Sequence, residues 1–413
     1  MKASYLYLMS ILLLLQSCST SKKLQRTYLV DTTKNYFTGL VVFDPEKGDT
    51  LISYNGNNYF TPASTVKLFT LYTALKTLPD SIATISYAEN RDTLYFKALA
   101  DPSFLHDSLP NTTFKFLKNT KKKLVHVPEA FDDFIYGDGW QWDDYQFYYM
   151  PEKSIFPIYG NLAKLRENKI QPSYFQAFVT EDSLSEFHRD FTTNVFYINS
   201  KETSLVPFKT AVDLSITLLQ DTLQKPISIS SKIHTKIFKP YTSTPTQPLY
   251  QRLMDESENF IAEQLFLIIA KNKTEEYKVH NAITYALDSL FIDIPDKPRW
   301  VDASGLSRYN IFTPRSMVYL LDKMLQDFGK EASLKLLPKN GENGSLQKWY
   351  PHKTTYLYAK TGSLSNNHSL SGYLITKKGR LLIFSYMNNN YINKSSEVRA
   401  KMNQVLQQIY NNN

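Results

Sequence analysis

Alternating apolar and polar positions predict β-strands near both ends of the chain. Residues 36–54 contain two apolar, β-prone runs on either side of a polar turn at 44–49, which indicates a β-hairpin. Residues 369–386 repeat this pattern and predict a second hairpin. We expect the two hairpins to form one sheet, with a final helix at 395–410 packed on it.

A helical period follows the first hairpin. After Lys67, apolar residues recur at intervals of about three to four positions, at Leu68, Leu71, Tyr72, Ala74 and Leu75. This period predicts a buried helix with Ser64 in its first turn. Similar patterns predict further helices at 209–219, around Ser257, at 279–287 and at 315–322.

The stretch between these helical regions has a third pattern. Short strand-like runs separated by segments rich in Asn, Asp, Pro and Lys occur at 83–87, 93–97 and 191–198. We therefore predict a mostly-β accessory region at 81–204. It would be inserted into a discontinuous α/β (α+β) domain formed by residues 36–80 and 205–413.

Composition is that of a globular protein that is rich in aromatic residues and carries a formal net charge of +8. The 29 Tyr and 25 Phe residues suit sheet and core packing or the lining of a ligand groove. Residues 115–123 hold five lysines and no acid. They predict either a basic patch for an anionic polymer or a solvated hairpin with one charged face. No recognition motif accompanies the charge, so nucleic acid is not an expected partner.

The N-terminus has the pattern of an export signal. Lys2 precedes an apolar run at 5–15 that is too short to span a membrane comfortably. The following Leu-Gln-Ser-Cys18 resembles the lipobox of bacterial lipoproteins, and Cys18 is the only cysteine in the chain. We predict a signal peptide at 1–17 and a polar tether at 18–35.

The lipobox resemblance implies cleavage before Cys18 and lipid attachment to this residue. Several acyl chains would anchor the mature protein stably to a membrane outside the cytoplasm. Ser19, rather than an acid, follows the cysteine. By resemblance to lipoprotein sorting signals, this favours the periplasmic side of a bacterial outer membrane.

Candidate chemistry begins at Ser64-Thr-Val-Lys67. Side chains three positions apart share one face of a helix, so Lys67 is expected to reach the Ser64 hydroxyl and accept its proton. A lysine base must be neutral. Burial and a second cation nearby would both lower its pKa. Taken alone, this tetrad is weak evidence for catalysis, and a helix N-cap serine followed by a solvated lysine is the better interpretation.

Two more motifs follow in order, Ser257-Glu-Asn259 and Lys360-Thr-Gly-Ser363. Ser-x-x-Lys, Ser-x-Asn and Lys-Thr-Gly in this order are the three elements of penicillin-binding proteins and serine β-lactamases. Together with Asp302-Ala-Ser-Gly-Leu-Ser-Arg308, they resemble the low-molecular-mass class C penicillin-binding proteins, the D-alanyl-D-alanine carboxypeptidases and endopeptidases of peptidase family S13. The resemblance implies a β-lactamase/transpeptidase-like domain with an antiparallel sheet flanked by helices.

The same resemblance implies residue roles. Ser64 would be the nucleophile and Lys67 its base, while Ser257 would relay a proton to the leaving amine. Asn259 would hydrogen-bond Lys67 or the substrate amide. Substrate binding would involve Lys360, Thr361, Gly362 and Ser363: Lys360 and Thr361 would seat the terminal carboxylate of the substrate, and Gly362 would let its backbone approach closely. The backbone N–H groups of Ser64 and Ser363 would form the oxyanion hole.

Other readings of the motifs remain open at this level. Tyr159-Gly-Asn161 could replace Ser257-Glu-Asn259 as the second element, as in related class C β-lactamases and esterases. The segment 302–307 could be a tight loop whose Asp and Ser side chains satisfy its own backbone, and we favour that interpretation. The seven histidines show neither metal-ligand spacing nor a Ser-His-Asp arrangement, so no metal or cofactor is predicted.

The expected reaction is acyl transfer from a D-Ala-D-X bond of peptidoglycan stem peptides to Ser64, with β-lactams as covalent inhibitors. A β-lactamase is less favoured because no Glu-x-x-x-Asn lies between Ser64 and Lys360. An esterase on the same scaffold, or a catalytically silent peptidoglycan-binding lipoprotein, are the remaining alternatives. The intact motifs argue against a silent protein.

Overall fold

The computed structural model of the protein describes residues 35–166, 169–181, 187–198, 203–230 and 237–413. Its β-strands are β1 (Phe37–Asp44), β2 (Asp49–Tyr54), β3 (Ser81–Asn90), β4 (Thr93–Ala98), β5 (Lys123–His126), β6 (Leu162–Arg166), β7 (Lys169–Gln171), β8 (Val179–Glu181), β9 (Phe196–Ile198), β10 (Ser204–Pro207), β11 (Ile227–Ile229), β12 (Lys239–Pro245), β13 (Leu357–Leu364), β14 (Asn367–Ile375) and β15 (Leu381–Asn389). Its α-helices are α1 (Lys67–Thr77), α2 (Thr113–Asn119), α3 (Val212–Leu223), α4 (Thr246–Asp255), α5 (Asn259–Thr274), α6 (Val279–Tyr285), α7 (Pro314–Lys335), α8 (Gly344–Trp349) and α9 (Ser395–Asn412).

The described chain divides into two compact units. The first comprises residues 35–68, Asp293–Trp300 and Arg308–Asn413. Its centre is a five-stranded antiparallel sheet in the order β13-β14-β15-β1-β2. Both predicted hairpins are present, β1 with β2 and β14 with β15, and they pair with each other as expected.

Helix α9 packs on one face of this sheet, as the sequence predicted. Its apolar residues recur at intervals of about three to four positions and are buried against apolar side chains of the strands. The buried helical residues are Val398, Met402, Val405, Leu406 and Ile409. On α7, Leu321 accepts a hydrogen bond at 2.8 Å from the buried hydroxyl of Tyr373 on β14. The fold is therefore mixed α+β, with an antiparallel sheet flanked by helices.

The second unit comprises Phe69–Ile292 and Val301–Ser307. Its largest sheet has the order β11-β5-β4-β3-β12, and two small sheets have the orders β10-β6-β7 and β8-β9. Helix α5 is buried along every residue from Asn259 to Ala270, which explains its continuous apolar run.

Two local predictions need correction. The strand expected at 191–198 is limited to β9, because residues 191–195 form bends and irregular backbone. The lysine-rich segment 115–123 is not a hairpin: it spans most of α2 and the start of β5. Lys122 and Lys123 pair with acids of the neighbouring β3–β4 hairpin, Glu89 and Asp92, which gives this face mixed charge.

The two compact units do not coincide with the predicted domain limits. Strands β11 and β12 follow residue 204, yet they pair with β5 and β3 of the expected insert. The assignment of 81–204 as an inserted region stays a prediction. The predicted signal peptide, Cys18 and the tether up to residue 34 lie outside the described residues. Within the described ranges, the helices are too short or too polar to cross a membrane.

The packing of α9 gives a stability prediction. Replacing the fully buried Leu406 with alanine removes apolar contacts to the sheet and leaves a cavity. We expect Leu406→Ala to lower the free energy of unfolding by about 2–5 kcal/mol, measured by urea denaturation. The matched control is Gln404→Ala on the exposed side of α9, which should change stability by less than about 0.5 kcal/mol. Equal effects of the two substitutions would contradict this packing.

Candidate active site

Ser64 and Lys67 lie at the start of α1 in the first unit. Ser64 belongs to a 3-10 turn, Ala63–Val66, that continues directly into the helix. Lys67 Nζ donates a hydrogen bond to Ser64 Oγ at 3.0 Å. Lys67 has no solvent exposure, whereas Ser64 is half-buried. The predicted contact between the two side chains is therefore present, with the lysine as its buried member.

The backbone that carries Ser64 has an uncommon conformation. Ala63 has a φ of 50°, in the left-handed region, which costs a non-glycine residue about 1 kcal/mol or more. Neighbouring contacts hold it: Thr65 Oγ1 donates to Pro62 O at 2.8 Å. The preceding Thr61 exchanges two hydrogen bonds, at 2.8 and 3.1 Å, with the side chain of Asn389 on β15. The turn is thus fixed to the central sheet.

The third motif runs along β13, an edge strand of that sheet, and passes directly beside the turn. A Cβ atom added to Gly362 would come within 2.9 Å of both Ser64 N and Thr65 N, and even closer to Pro62 O. These neighbours are backbone atoms, so a side chain at this position requires the strand or the turn to move. Gly362 is therefore what lets the third motif lie against the first.

The other residues of the motif have distinct partners. The buried Lys360 donates from Nζ to Thr361 O at 3.0 Å. The Thr361 hydroxyl forms a short hydrogen bond with the hydroxyl of Ser345 on α8. Ser363 is exposed, and its Oγ lies 2.7 Å from His368 Nδ1.

His368 belongs to none of the three sequence motifs, yet it contacts Ser363 of the third. The register of β13 and β14 places it directly opposite Ser363, across a turn of the chain. Its second nitrogen, Nε2, lies 2.8 Å from the hydroxyl of Tyr350. Burial and, secondarily, the charge of Arg399 lower the pKa of His368 to about 3, so the ring is neutral at ordinary pH. Only the hairpin register could have revealed this contact.

Ser257 and Asn259 belong to the second unit. Ser257 lies between α4 and α5 with a φ of 57°, and Asn259 is the first residue of α5. Ser257 therefore lies outside regular helix, between the two helices that carry the neighbouring residues. The Asn259 side chain donates to Tyr149 O at 2.8 Å.

The residue between them, Glu258, is held by ionic contacts. It pairs with Arg252 of α4 and lies 3.4 Å from His106 Nε2. Burial alone would raise the pKa of Glu258, but hydrogen bonds and charge from these two partners lower it below the usual value. This pairing ties the second motif to the preceding helix.

The side chains of the alternative second element, Tyr159-Gly-Asn161, are held by hydrogen bonds to nearby residues. Asn161 has no solvent exposure; its Oδ1 accepts from Ile158 N at 3.1 Å and its Nδ2 donates to Glu152 O at 2.9 Å. The Tyr159 hydroxyl forms a short hydrogen bond with Thr222. These contacts account for the motif as a buried turn, and the choice of Ser257 and Asn259 as the second element stays a prediction.

The segment 302–307 is a loop whose side chains hydrogen-bond its own backbone, which is the interpretation that we favoured. Asp302 accepts from the backbone N–H groups of Gly305 and Ser307 at 2.8 and 2.6 Å. Its carboxylate also accepts from Trp140 Nε1 at 2.8 Å. The loop is fixed to α5 because Ser304 N donates to Glu263 Oε1 at 2.8 Å.

Glu263 is a buried carboxyl that the sequence analysis did not assign. Its Oε2 has no hydrogen-bond partner among the residues that the structure describes. Burial, followed by the charge of Asp302, raises the pKa of Glu263 to about 7, although Lys153 and Ser304 oppose this shift. Across the described ranges, no cluster of three or more His, Cys, Asp or Glu residues could hold a metal ion.

Comparison with known proteins adds to this geometry. A sequence profile for the D-Ala-D-Ala carboxypeptidase 3 (S13) family matches residues 21–179 and 209–409. The D-alanyl-D-alanine carboxypeptidase DacB of Haemophilus influenzae is 22% identical, and the match covers 90% of this chain and 90% of that protein.

Two solved structures show the same fold at low sequence identity. Penicillin binding protein 4 (dacB) from Haemophilus influenzae has a TM-score of 0.77 and 19% identity, covering 94% of this chain and 99% of that one. A predatory endopeptidase from Bdellovibrio bacteriovorus, solved with an immunity protein, has a TM-score of 0.51 and 15% identity. It covers 90% of this chain and 94% of that one.

The environment of Glu263 predicts a pH dependence of stability. Between its ordinary pKa of 4.5 and about 7, the unfolded chain releases this proton while the folded chain keeps it. Folding stability should therefore fall as pH rises through this window, by an amount on the order of 3 kcal/mol. Glu263→Gln removes the titrating group, so unfolding followed from pH 4.5 to 7.5 should show a shallower decline.

Asp322→Asn is a matched control for this experiment. The pKa of Asp322 is also raised by burial, but this carboxyl is only partly buried and lies on α7 in the first unit. The Asp322→Asn variant should leave the decline between pH 5.5 and 7 largely in place. Identical pH profiles for Glu263→Gln and the wild type would contradict the assignment.

Proposed function

Because the chain belongs to the D-Ala-D-Ala carboxypeptidase 3 (S13) family, we propose that it is a serine-type, penicillin-binding D-Ala-D-Ala carboxypeptidase or endopeptidase acting on peptidoglycan stem peptides. The observation that carries this proposal is the 3.0 Å contact from the buried Lys67 to the Ser64 hydroxyl, in a turn that Gly362 of the third motif contacts. The activities of the Haemophilus influenzae carboxypeptidase DacB and of the Bdellovibrio bacteriovorus endopeptidase support it.

In the proposed reaction, Ser64 Oγ attacks the carbonyl carbon of the D-Ala-D-X bond while a neutral Lys67 takes the hydroxyl proton. The carbonyl-to-nitrogen bond then breaks, and the proton taken by Lys67 would return through the Ser257 hydroxyl to the departing amine, so that both side chains regain their starting protonation. The Ser64 ester that remains is hydrolysed by water, which restores the hydroxyl. A β-lactam would acylate Ser64 by the same attack, and its ring-opened amine would stay attached.

Two groups of donors serve this reaction. The N–H groups of Ser64 and Ser363 would stabilise the oxyanion, and loss of one such donor typically lowers the rate by about 100- to 1,000-fold. Lys360 and the Thr361 hydroxyl would bind the terminal carboxylate of the substrate. Because Ser345 hydrogen-bonds Thr361, that hydroxyl is already oriented before a substrate binds.

We also propose that the protein is an exported lipoprotein. Support comes from the apolar run at 5–15 and the Leu-Gln-Ser-Cys18 sequence. Lipid on Cys18 would anchor the mature chain to a membrane, with Ser19 favouring the periplasmic side of the outer membrane. Such an anchor would keep the enzyme beside the peptidoglycan layer.

The enzymatic proposal predicts a covalent adduct. The full chain in detergent, incubated with benzylpenicillin, should gain the mass of one intact penicillin, and Ser64→Ala should gain none. Lys67→Met, which cannot accept the proton, should acylate at least about 100-fold more slowly. Ser53→Ala, at a β2 serine outside the motifs, should acylate like the wild type.

The outcomes of this mass measurement separate the alternatives. An adduct that forms equally in Ser64→Ala would overturn the assignment of the nucleophile. Penicillin consumed without an accumulating adduct would favour a β-lactamase, and unchanged penicillin would favour a silent binding protein. Digestion of purified muropeptides then distinguishes release of terminal D-Ala from cleavage of cross-links.

The lipoprotein proposal has its own measurement. Cells expressing the full chain and fed an alkyne-labelled fatty acid should label the wild type, and Cys18→Ala should lose the label and remain as an uncleaved precursor. Ser17→Ala changes the neighbouring residue without removing the thiol and should still be labelled. Labelling that persists in Cys18→Ala would refute attachment at this residue.

A further inference from the structure

The hydroxyl groups of Thr361 and Ser363 share one face of β13. The two residues are two positions apart on an extended strand, so their side chains point the same way. Each hydroxyl has a partner supplied from outside the strand: Ser345 for Thr361 and His368 for Ser363. Ser363 is exposed, whereas His368 is fully buried. A ligand that binds along this face can reach the serine but not the histidine.

The surroundings of His368 keep it uncharged. Trp349 meets the ring edge to face at 5.8 Å between centroids, and Arg399 lies 4.5 Å from the Trp349 ring centre. Burial together with this nearby cation disfavours the imidazolium form. A neutral imidazole carries its single hydrogen on one nitrogen only, so one nitrogen donates and the other accepts.

The phenol of Tyr350 determines which nitrogen carries the hydrogen. Tyr350 is fully buried, and its hydroxyl has two acceptors within reach: His368 Nε2 at 2.8 Å and the Met402 sulfur at 3.8 Å. A thioether is a weak acceptor, so the phenol O–H donates its hydrogen bond to Nε2, which accepts it through its lone pair. The imidazole hydrogen then lies on Nδ1, and Nδ1–H donates to Ser363 Oγ.

We propose that His368, held by Tyr350 in its Nδ1–H form, is a positioning residue that makes the Ser363 hydroxyl a hydrogen-bond donor toward the terminal carboxylate of the substrate. This inference rests on the proposed function. Ser363 Oγ accepts from His368, so its own hydrogen is available, and a carboxylate can only accept. In the opposite tautomer, Ser363 would donate to the ring and present lone pairs to an anion.

The role is one of orientation, not of proton transfer. An imidazole with a pKa of about 3 has little tendency to take a proton from a serine hydroxyl near neutral pH. His368 therefore selects ligands through Ser363. A ligand that ends in an anion receives a hydrogen bond from the Ser363 hydroxyl, and a ligand without a terminal anion does not.

The test compares two thioester substrates that differ only at this end: a benzoyl-glycyl thioglycolate with a free carboxylate, and its methyl ester. We expect His368→Leu to lower kcat/KM for the carboxylate about tenfold and to leave the ester within about twofold. His368→Asn, whose amide can again donate near the Nδ1 position, should recover most of the preference. Ser363→Ala, which keeps its backbone N–H, should lose it as His368→Leu does.

A second measurement reads the tautomer without any ligand. In protein with ¹⁵N-labelled histidine, the ring signals of His368 should show the hydrogen on Nδ1, and Tyr350→Phe should weaken that assignment. The control is Tyr356→Phe, at another buried tyrosine whose hydroxyl has no hydrogen-bond partner among the described residues. It should leave the signals unchanged.

Each outcome decides the inference. An equal loss on both thioesters in His368→Leu, or a hydrogen found on Nε2 in the wild type, would overturn it. A wild type that hydrolyses neither thioester and forms no penicillin adduct would overturn the proposed function itself. The ¹⁵N signals separate the two failures, because they report on His368 whether or not the protein is an enzyme.

Discussion

The contact between Lys67 and Ser64 depends on keeping a lysine side chain out of water. Removing an ammonium group from solvent is costly, so a buried lysine needs either good hydrogen-bonding partners or the loss of its proton. The surroundings of Lys67 are formed by backbone atoms as much as by side chains. The left-handed Ala63 starts the turn, Asn389 ties that turn to the sheet, and Gly362 lets β13 approach without a side chain between them. A single methyl group at position 362 would disturb this arrangement more directly than many larger changes elsewhere.

Local pattern was enough to predict the parts of the fold made by neighbouring residues. Both hairpins and the helix after Ser64 depend on contacts within a few residues, and their periods are visible in the sequence. So is the spacing that lets Lys67 reach Ser64. The sheet of the second unit was harder to predict. Its strands β11 and β12 pair with strands more than 100 residues away in the sequence. The sequence of a short strand does not indicate which strand it pairs with.

Some buried polar residues could not be assigned a role from the sequence pattern. Their hydrogen-bonding partners lie at distant or unexpected positions. Glu263 contacts Ser304, which follows it by 41 residues, and a lone glutamate in an apolar helix gives no sign of such a partner. His368 lies close to Ser363 in sequence, but their contact depends on the strand register, and a one-residue slip would point the ring to the other face.

The hydrogen bonds to the hydroxyl groups of Thr361 and Ser363 are formed by residues that flank β13 in the sequence. Ser345 and Tyr350 precede the strand, and His368 follows it, so one continuous segment of fewer than thirty residues contains both the hydroxyls and their partners. Such a segment can be inherited, exchanged or altered as a block. If Ser363 contacts a bound β-lactam as proposed, substitutions at the fully buried Tyr350 and His368 would change that contact from behind the strand.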